Sequence, residues 1–582
     1  MSFRVERNVM VPMRDGVTLA TDVWIPDGGP APTLLVRLPY GKDTMMVLAH
    51  PANPNIFDLL NAGYAVVRQD SRGAYASEGE FTPMACEADD GVDTIEWVRQ
   101  QPWSDGTVGT YGPSYLGFIQ WASAARNPTG LKAIVPAVTN PDFYESWHGE
   151  DGALTWHNII FWATYMALNR ARRAVTEGTG DPQAVAALAA AATESQKYPS
   201  KMSADMMPAE QTLLFEYSPW LANWLRHPDR DHFWQELSPV EEGSEVSVPA
   251  LHIGGWFDLF AGSTPLTYAR MRAKARTAEA REGQRLIIGP WNHQDFSGVN
   301  HDRQFGPSAD VAATGLTEMY LRFYDRWLRG KAHADDGMSP VRIFVMGIDQ
   351  WRDEQDWPLP DTTYVNFYLD GGGHANTAAG DGVLRKELPS VETVDTYVYD
   401  PARPVPSRGG RVWLPAALNA VGPVDQREVE DRNDVLCFTT PVLEEPIEVT
   451  GHISLVLHIA SSARDTDFTG KLVDVFPDGR AIYLTDGILR ARYRHSLAEP
   501  ALLKPEHVYE ITVDLAVTSN VFLAGHRIRL EVSSSNFPRF DRNTNTGGVI
   551  NAETLDEAIV ATNRVLHGPE HPSRLVLPVI RR

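Results

Sequence analysis

Four runs of almost unbroken apolar residues decide what the first part of this chain can become. TLLVRLPY (33–40), YAVVRQD (64–70), VGTYG (108–112) and LKAIVPAV (131–138) lack the alternation of a half-exposed strand, so each needs cover on both faces. The sequence between them supplies that cover. CEADDGVDTIEWVRQQ (86–101) sets Val92, Ile95 and Val98 close to helical spacing, and YLGFIQWASAAR (115–126) is rich in helix formers. Strand, helix, strand, helix predicts an α/β fold around an open parallel sheet.

The pattern stops at about residue 141 and resumes at VPALHIGGWFD (248–258) and RLIIGPWNH (285–293), with a last sheet-like strand at 341–346. From 142 to 240 only helical signals appear, among them Asp181 as N-cap and Pro182 as first helical residue ahead of QAVAALAAAATES. An all-helical cap is therefore expected to interrupt a sheet domain made of 1–141 and 241–354. The cap holds six tryptophans (147, 156, 162, 220, 224 and 234), which either pack within it or face a substrate. From 355 to 582, strands replace helices. Ile453, Leu455, Leu457 and Ile459 alternate with other residues, as do Ile511, Val513 and Leu515, and Ile528, Leu530 and Val532 alternate with Arg527, Arg529 and Glu531. Period two predicts one buried and one wet face, and a long helix-free stretch of this kind predicts an antiparallel jelly-roll sandwich.

Three units, one of them discontinuous, suit a chain of 582 residues at about 150 residues per domain. The net charge of −23 argues against nucleic acid and anionic membrane surfaces as partners, because binding either depends on neutralising negative charge. The same field would favour neutral or cationic ligands. Cys86 and Cys437 stand far apart without a CxxC or Cys/His cluster, which predicts two free buried thiols and no structural zinc. The opening residues lack an apolar leader and no apolar run is long enough to span a bilayer, so a cytoplasmic location is expected.

Chemistry is expected where the third strand runs into GTYGPSYLG. Ser114 falls on a sharp turn between strand and helix, which lifts its hydroxyl off the carboxyl edge of the sheet and aims helix N–H groups at a developing oxyanion. The pattern Gly112-Pro-Ser114-Tyr-Leu-Gly117 is one residue longer than G-x-S-x-G, with Leu116 where the second glycine is usual. A serine needs a base, and the base an orienting acid. Asp258 ends the strand ALHIGGWFD and His293 follows RLIIGPWNH, which gives the chain order Ser, Asp, His of α/β-hydrolases. His252 inside a strand, His301 well past a strand end and Asp70 ahead of the serine are worse placed.

The chain resembles the cocaine esterase and X-Pro dipeptidyl-peptidase family of serine hydrolases. The matching stretches are NVMVPMRDGVTLATDVWIP, YAVVRQDSRG, YGPSYLG, GGWFD, GPWNH, RIFVMGIDQWRDEQDWPLPDT, DTDFTGKLVDVFPDGRAI and SSSNFPRFDRNTNTGG. The resemblance implies an α/β-hydrolase domain with an inserted helical cap and a C-terminal jelly roll, and no metal or organic cofactor. It implies Ser114 as nucleophile, His293 as general base and then acid, and Asp258 as the group that orients the imidazolium. It adds Tyr40 of Arg37-Leu-Pro-Tyr40, whose hydroxyl would join the Tyr115 backbone N–H in the oxyanion hole. An aromatic acyl pocket would be formed by Trp147 and Trp162 from the cap, Phe260, and Trp413 and Leu414 from the jelly roll, although VWLPAALNA (412–420) departs from the family pattern. It further implies a homodimer built partly through the jelly roll.

These features predict a serine carboxylesterase acting on small-molecule esters through an acyl-enzyme. Release of X-Pro dipeptides, or hydrolysis of α-amino acid esters, is the alternative within the family. It requires carboxylates to hold an α-ammonium, whereas Asp258 is followed by Leu259-Phe260-Ala261. A different class of reading makes the hydrolase vestigial and the jelly roll a carbohydrate-binding module, against which the intact Ser, Asp, His order argues.

Overall fold

The computed structural model describes residues 2–44, 50–197, 207–208, 212–240, 243–415 and 419–582. The expected start of the second sheet segment at 241 lies outside the described residues.

Ten strands form one mixed sheet: β1 (Phe3–Pro12), β2 (Thr18–Pro26), β3 (Ala31–Leu38), β4 (Ala65–Asp70), β5 (Ser104–Pro113), β6 (Leu131–Ala137), β9 (Leu251–Phe257), β10 (Arg285–Asn292), β11 (Val341–Val345) and β12 (Gln350–Glu354). Their order across the sheet is β1-β2-β4-β3-β5-β6-β9-β10-β11-β12. The middle, from β4 to β11, is parallel; β1, β2 and β12 add antiparallel edges. Every residue of β3, β4 and β9 is buried, the burial that their unbroken apolar sequences require. The helices Glu87–Arg99 and Tyr115–Ala125 help to cover this sheet. Ile95 and Val98 of the first and Trp121 and Ala124 of the second share a core with Leu35, Val67 and Val108.

Between β6 and β9 the chain is mainly helical: Trp156–Thr176, Pro182–Ser195, Thr212–Tyr217, Pro219–Leu225 and His232–Leu237. Asp181 caps the second of these through the Gln183 N–H, with Pro182 at the first turn. The segment is not wholly helical, because β7 (Gly149–Glu150) and β8 (Ala153–Leu154) form a short antiparallel ribbon. Five of the six tryptophans are joined through ring contacts, Trp147 also meeting Phe143 at 5.9 Å. Trp162, Trp220, Trp224 and Trp234 make a contiguous ring cluster with Phe143, while Trp147 lies over Phe260 at 4.5 Å between ring centroids.

Eleven strands make the C-terminal β domain: β13 (Thr362–Asp370), β14 (Val383–Arg385), β15 (Thr393–Tyr399), β16 (Leu436–Thr439), β17 (Ile447–Ser461), β18 (Asp467–Val475), β19 (Ala481–Arg490), β20 (Tyr509–Phe522), β21 (Arg527–Ser533), β22 (Ala561–His567) and β23 (Arg574–Ile580). All their pairings are antiparallel except β14 with β16. The alternating residues of β17, β20 and β21 interdigitate in one core. The period-two reading fails at Glu531, which is buried rather than wet because the Lys471 ammonium meets it at 2.9 Å. The cysteines are both free, but Cys86 is exposed just ahead of its helix and only Cys437 is buried, which corrects the expectation for Cys86.

Candidate active site

The three residues singled out from motif order converge at the carboxyl edge of the sheet, where β9 and β10 end side by side and β5 ends one strand away, across β6. Ser114 follows β5, Asp258 follows β9 and His293 follows β10. His293 Nε2 stands 3.0 Å from Ser114 Oγ, and its Nδ1 stands 2.6 Å from Asp258 Oδ1. The second carboxylate oxygen, Oδ2, accepts the Phe260 N–H at 2.9 Å, so Asp258 is held in the plane its histidine needs. Asp258 and His293 are buried, while Ser114 is half-buried and reachable.

The serine turn is strained and pinned. Ser114 has φ 58° and ψ −125°, a backbone that side-chain-bearing residues rarely adopt. Its N–H bonds the Ala137 carbonyl at 2.8 Å, extending the β5–β6 pairing by one residue, and its carbonyl accepts from the Gly117 N–H at 2.8 Å and Thr139 Oγ1 at 2.8 Å. Gly117 is required by space: an added Cβ would meet Thr139 Cγ2 at 2.6 Å.

Tyr40 lies two residues beyond β3, buried, with its hydroxyl accepting from Trp162 Nε1 at 3.0 Å. Burial raises its pKa above that of an ordinary phenol, so it is a neutral donor at any physiological pH. Tyr115 opens its helix, where an N–H has no carbonyl partner within the helix. Its side chain is anchored on the opposite side: the hydroxyl accepts the Met84 N–H at 2.9 Å and donates to Glu87 at 3.1 Å. Glu87 in turn pairs with Arg37 at 2.9 Å, which explains why the arginine of the Arg37-Leu-Pro-Tyr40 motif is buried.

Around His293 the rings of Phe260 and Trp413 stand edge-on, with centroids at 5.8 and 5.6 Å, and Phe161 packs on Trp413 at 4.8 Å. The Trp413 N–H is held by Asn158 Oδ1 of the cap at 3.0 Å. Trp147 reaches the site through Phe260, and Trp162 through Tyr40. Leu414 is buried with Val412 and Val421, a group against which Phe161 also packs. A cavity of about 1000 Å³ borders the Tyr40 side, with Pro39, Gly41, Lys42, Phe81 and Trp220 in its walls.

The rejected candidates have structural partners. His252 bonds Gln284 at 2.7 Å within β9, His301 pairs with its neighbour Asp302 on the surface, and Asp70 accepts the Lys42 N–H at 2.6 Å, with burial pushing its pKa up to about 6. One residue that motif order did not find is His50. Its Nδ1 accepts the Ala52 N–H at 3.2 Å, which leaves Nε2 to donate to the His293 carbonyl at 3.2 Å. Burial beside His293 lowers its pKa to about 3 and keeps it neutral. No motif marks it, since an isolated histidine outside any strand end carries no pattern. Among the described residues, no cluster of histidine, cysteine and carboxylate side chains is suited to hold a metal ion.

Fold and geometry define a serine hydrolase of the α/β-hydrolase class with a C-terminal β domain. Residues 15–295 match the X-Pro dipeptidyl-peptidase (S15 family) and residues 333–576 match the X-Pro dipeptidyl-peptidase C-terminal non-catalytic domain. The chain is 47% identical to the cocaine esterase of Rhodococcus sp. (strain MB1 Bresler) over 585 residues, covering 100% of this chain and 99% of that protein. The solved structure of an α-amino acid ester hydrolase superposes with a TM-score of 0.81 at 27% identity, covering 99% of this chain and 96% of the other. That of an aminopeptidase from a marine sediment Thaumarchaeota archaeon superposes with a TM-score of 0.80 at 27% identity, covering 100% and 97%. The protein belongs to the cocaine esterase and X-Pro dipeptidyl-peptidase family.

Proposed function

We propose that this protein is a serine carboxylesterase that hydrolyses small-molecule esters with an aromatic, benzoyl-like acyl group. The observation that carries the reading is the continuous reach from Asp258 through His293 to Ser114, with the Phe260 and Trp413 rings set against the same histidine.

In this reading Ser114 Oγ attacks the ester carbonyl as His293 Nε2 takes its proton, and Asp258 stabilises the imidazolium. The carbonyl oxygen becomes an oxyanion held by the Tyr40 hydroxyl and the Tyr115 N–H, donors that need little movement when charge develops. Collapse of the tetrahedral intermediate breaks the ester C–O bond, and the proton on His293 passes to the departing alcohol. A water molecule then gives its proton to His293 and attacks the acyl-enzyme, which releases the carboxylic acid and returns the proton to Ser114. Phe260, Trp413 and Trp147 supply an apolar acyl pocket, and Leu259-Phe260-Ala261 after the acid supplies no carboxylate for an α-ammonium. Leu414 supports this pocket from behind rather than lining it.

We also divide the chain into a catalytic unit (1–141 and 241–354), a cap (142–240) and a jelly-roll unit (355–582), and read it as a cytoplasmic homodimer. The exposed free thiol of Cys86 favours a reducing compartment. Comparing kcat/KM for p-nitrophenyl benzoate with that for Gly-Pro-p-nitroanilide tests the function. Faster anilide cleavage would replace the esterase reading by the dipeptidyl-peptidase one, and light scattering at a monomer mass would remove the dimer.

A further inference from the structure

Trp162 is reached from the sequence as a wall of the acyl pocket, but its indole edge makes a more specific contact. Nε1 donates to Tyr40 Oη at 3.0 Å. The ring that carries this N–H is fixed on several sides: nearly parallel to Trp224 (5.9 Å, 6°), stacked on Tyr115 (5.9 Å, 27°) and tilted against Trp220 (5.0 Å). Among the described residues, the Tyr40 hydroxyl accepts this bond and donates none.

We propose that Trp162 is a positioning residue of the oxyanion hole, whose N–H sets the direction of the Tyr40 hydroxyl proton and strengthens it as a donor. The inference rests on the reading of Tyr40 as an oxyanion donor. A phenolic oxygen carries one hydrogen and two lone pairs. An N–H pointed at that oxygen repels the hydroxyl hydrogen from its own side, so the proton is turned away from the cap before substrate arrives. Accepting one hydrogen bond also polarises the O–H, by roughly 10–30% in bond strength. As the oxyanion draws on the Tyr40 proton, negative charge builds on Oη, and the Trp162 N–H is already there to stabilise it. The electrostatics agree in sign: burial raises the Tyr40 pKa, and the Trp162 bond opposes that rise. The cap thus contributes an oriented dipole to the reaction, and the Trp220–Trp224 cluster serves to keep that dipole aimed.

The test is a double-mutant cycle of Trp162→Phe and Tyr40→Phe, with activity normalised to the fraction of protein titrated by a fluorophosphonate. Trp162→Phe alone is expected to lower kcat about tenfold for acetyl and benzoyl esters alike, with KM changed less than about twofold. In the Tyr40→Phe background the same substitution should cost less than twofold, because the donor it positions is gone. An equal loss in both backgrounds, or a loss confined to benzoyl esters and expressed in KM, would overturn the proposal and leave Trp162 a pocket wall. If Tyr40→Phe itself leaves kcat unchanged, it is the oxyanion role of Tyr40 that fails. Should Trp162→Phe unfold, site-specific replacement of Trp162 by its benzothiophene isostere, which exchanges N–H for sulfur at constant shape, gives the same comparison.

Discussion

Leu116 packs over Gly112 so closely that a Cβ at position 112 would come within 2.7 Å of the Leu116 Cβ. The contact accounts for the longer turn motif: the residue where a second glycine is usual is a leucine, and the free space lies on the other side, at Gly112. Gly112 also has φ +135°, where any side chain is strained. Gly112→Ala is therefore expected to cost more than about 3 kcal/mol and to remove activity, and Gly112→Ala with Leu116→Gly, which removes the opposing Cβ, to recover only the part due to the contact. Equilibrium urea unfolding of the single and double variants measures both shares; a silent Gly112→Ala would contradict the turn geometry.

The strain at Ser114 predicts a trade between stability and activity. Ser114→Ala keeps a Cβ in the same backbone and should leave stability within about 0.5 kcal/mol of the parent, while lowering ester turnover by on the order of 10⁴ to 10⁶. Ser114→Gly also removes the hydroxyl but relieves φ 58°, and should be more stable than Ser114→Ala by about 1–3 kcal/mol. Thermal melting and initial rates on the two variants check the pair, and equal melting temperatures would deny the strain.

Two neighbours in sequence, Trp413 and Leu414, should behave differently. Trp413 meets the His293 ring, so Trp413→Ala is expected to lower kcat/KM for p-nitrophenyl benzoate about tenfold and for the acetate less than twofold. Leu414, buried with Val412 and Val421, should lose about 2–4 kcal/mol of stability on truncation to alanine with the acyl preference intact. A shifted benzoate-to-acetate ratio in Leu414→Ala would place it in the pocket after all.

The parallel strands and the meeting of Ser114, Asp258 and His293 are legible because each obeys a local rule: unbroken apolar runs mark β3, β4 and β9, and chain order at strand ends marks the three residues. Strands β1 and β2 carried no such mark as a pair, since nearly every residue of β1 is exposed or half-exposed and none of the alternation needed to recognise it survives. Glu531, buried, and Cys86, exposed, depart from the local pattern for a related reason. Their burial depends on what tertiary structure brings alongside: Lys471 draws the glutamate inward, and the cysteine sits at the exposed start of an amphipathic helix. The hydrogen bond from Trp162 to Tyr40 joins residues far apart in the chain, and no spacing rule reaches it.

His148 offers a test of how the cap responds to acid. Its ring is buried, tilted against Trp234 at 4.3 Å and Tyr144 at 5.6 Å between ring centroids, with Nδ1 lacking a hydrogen-bond partner among the described residues. Burial, reinforced by nearby His227, lowers its pKa to about 3, against about 6.5 in an unfolded chain. Above pH 6.5 the ring is neutral in both states and its contribution is intact. As pH falls below 6.5, the unfolded chain takes up a proton that the folded ring refuses, so stability is lost progressively down to about pH 3. The loss approaches about 1.4 kcal/mol per pH unit from this one site, with His252 adding a similar slope down to its own pKa of about 4. His148→Phe keeps an aromatic ring against Trp234 and removes the titration. The stability of the variant between pH 5.0 and 6.5, from urea unfolding at fixed ionic strength, should therefore fall less steeply than the parent's by close to one proton. An unchanged slope would mean that the ring is already protonated in the fold and that its packing surface is wet.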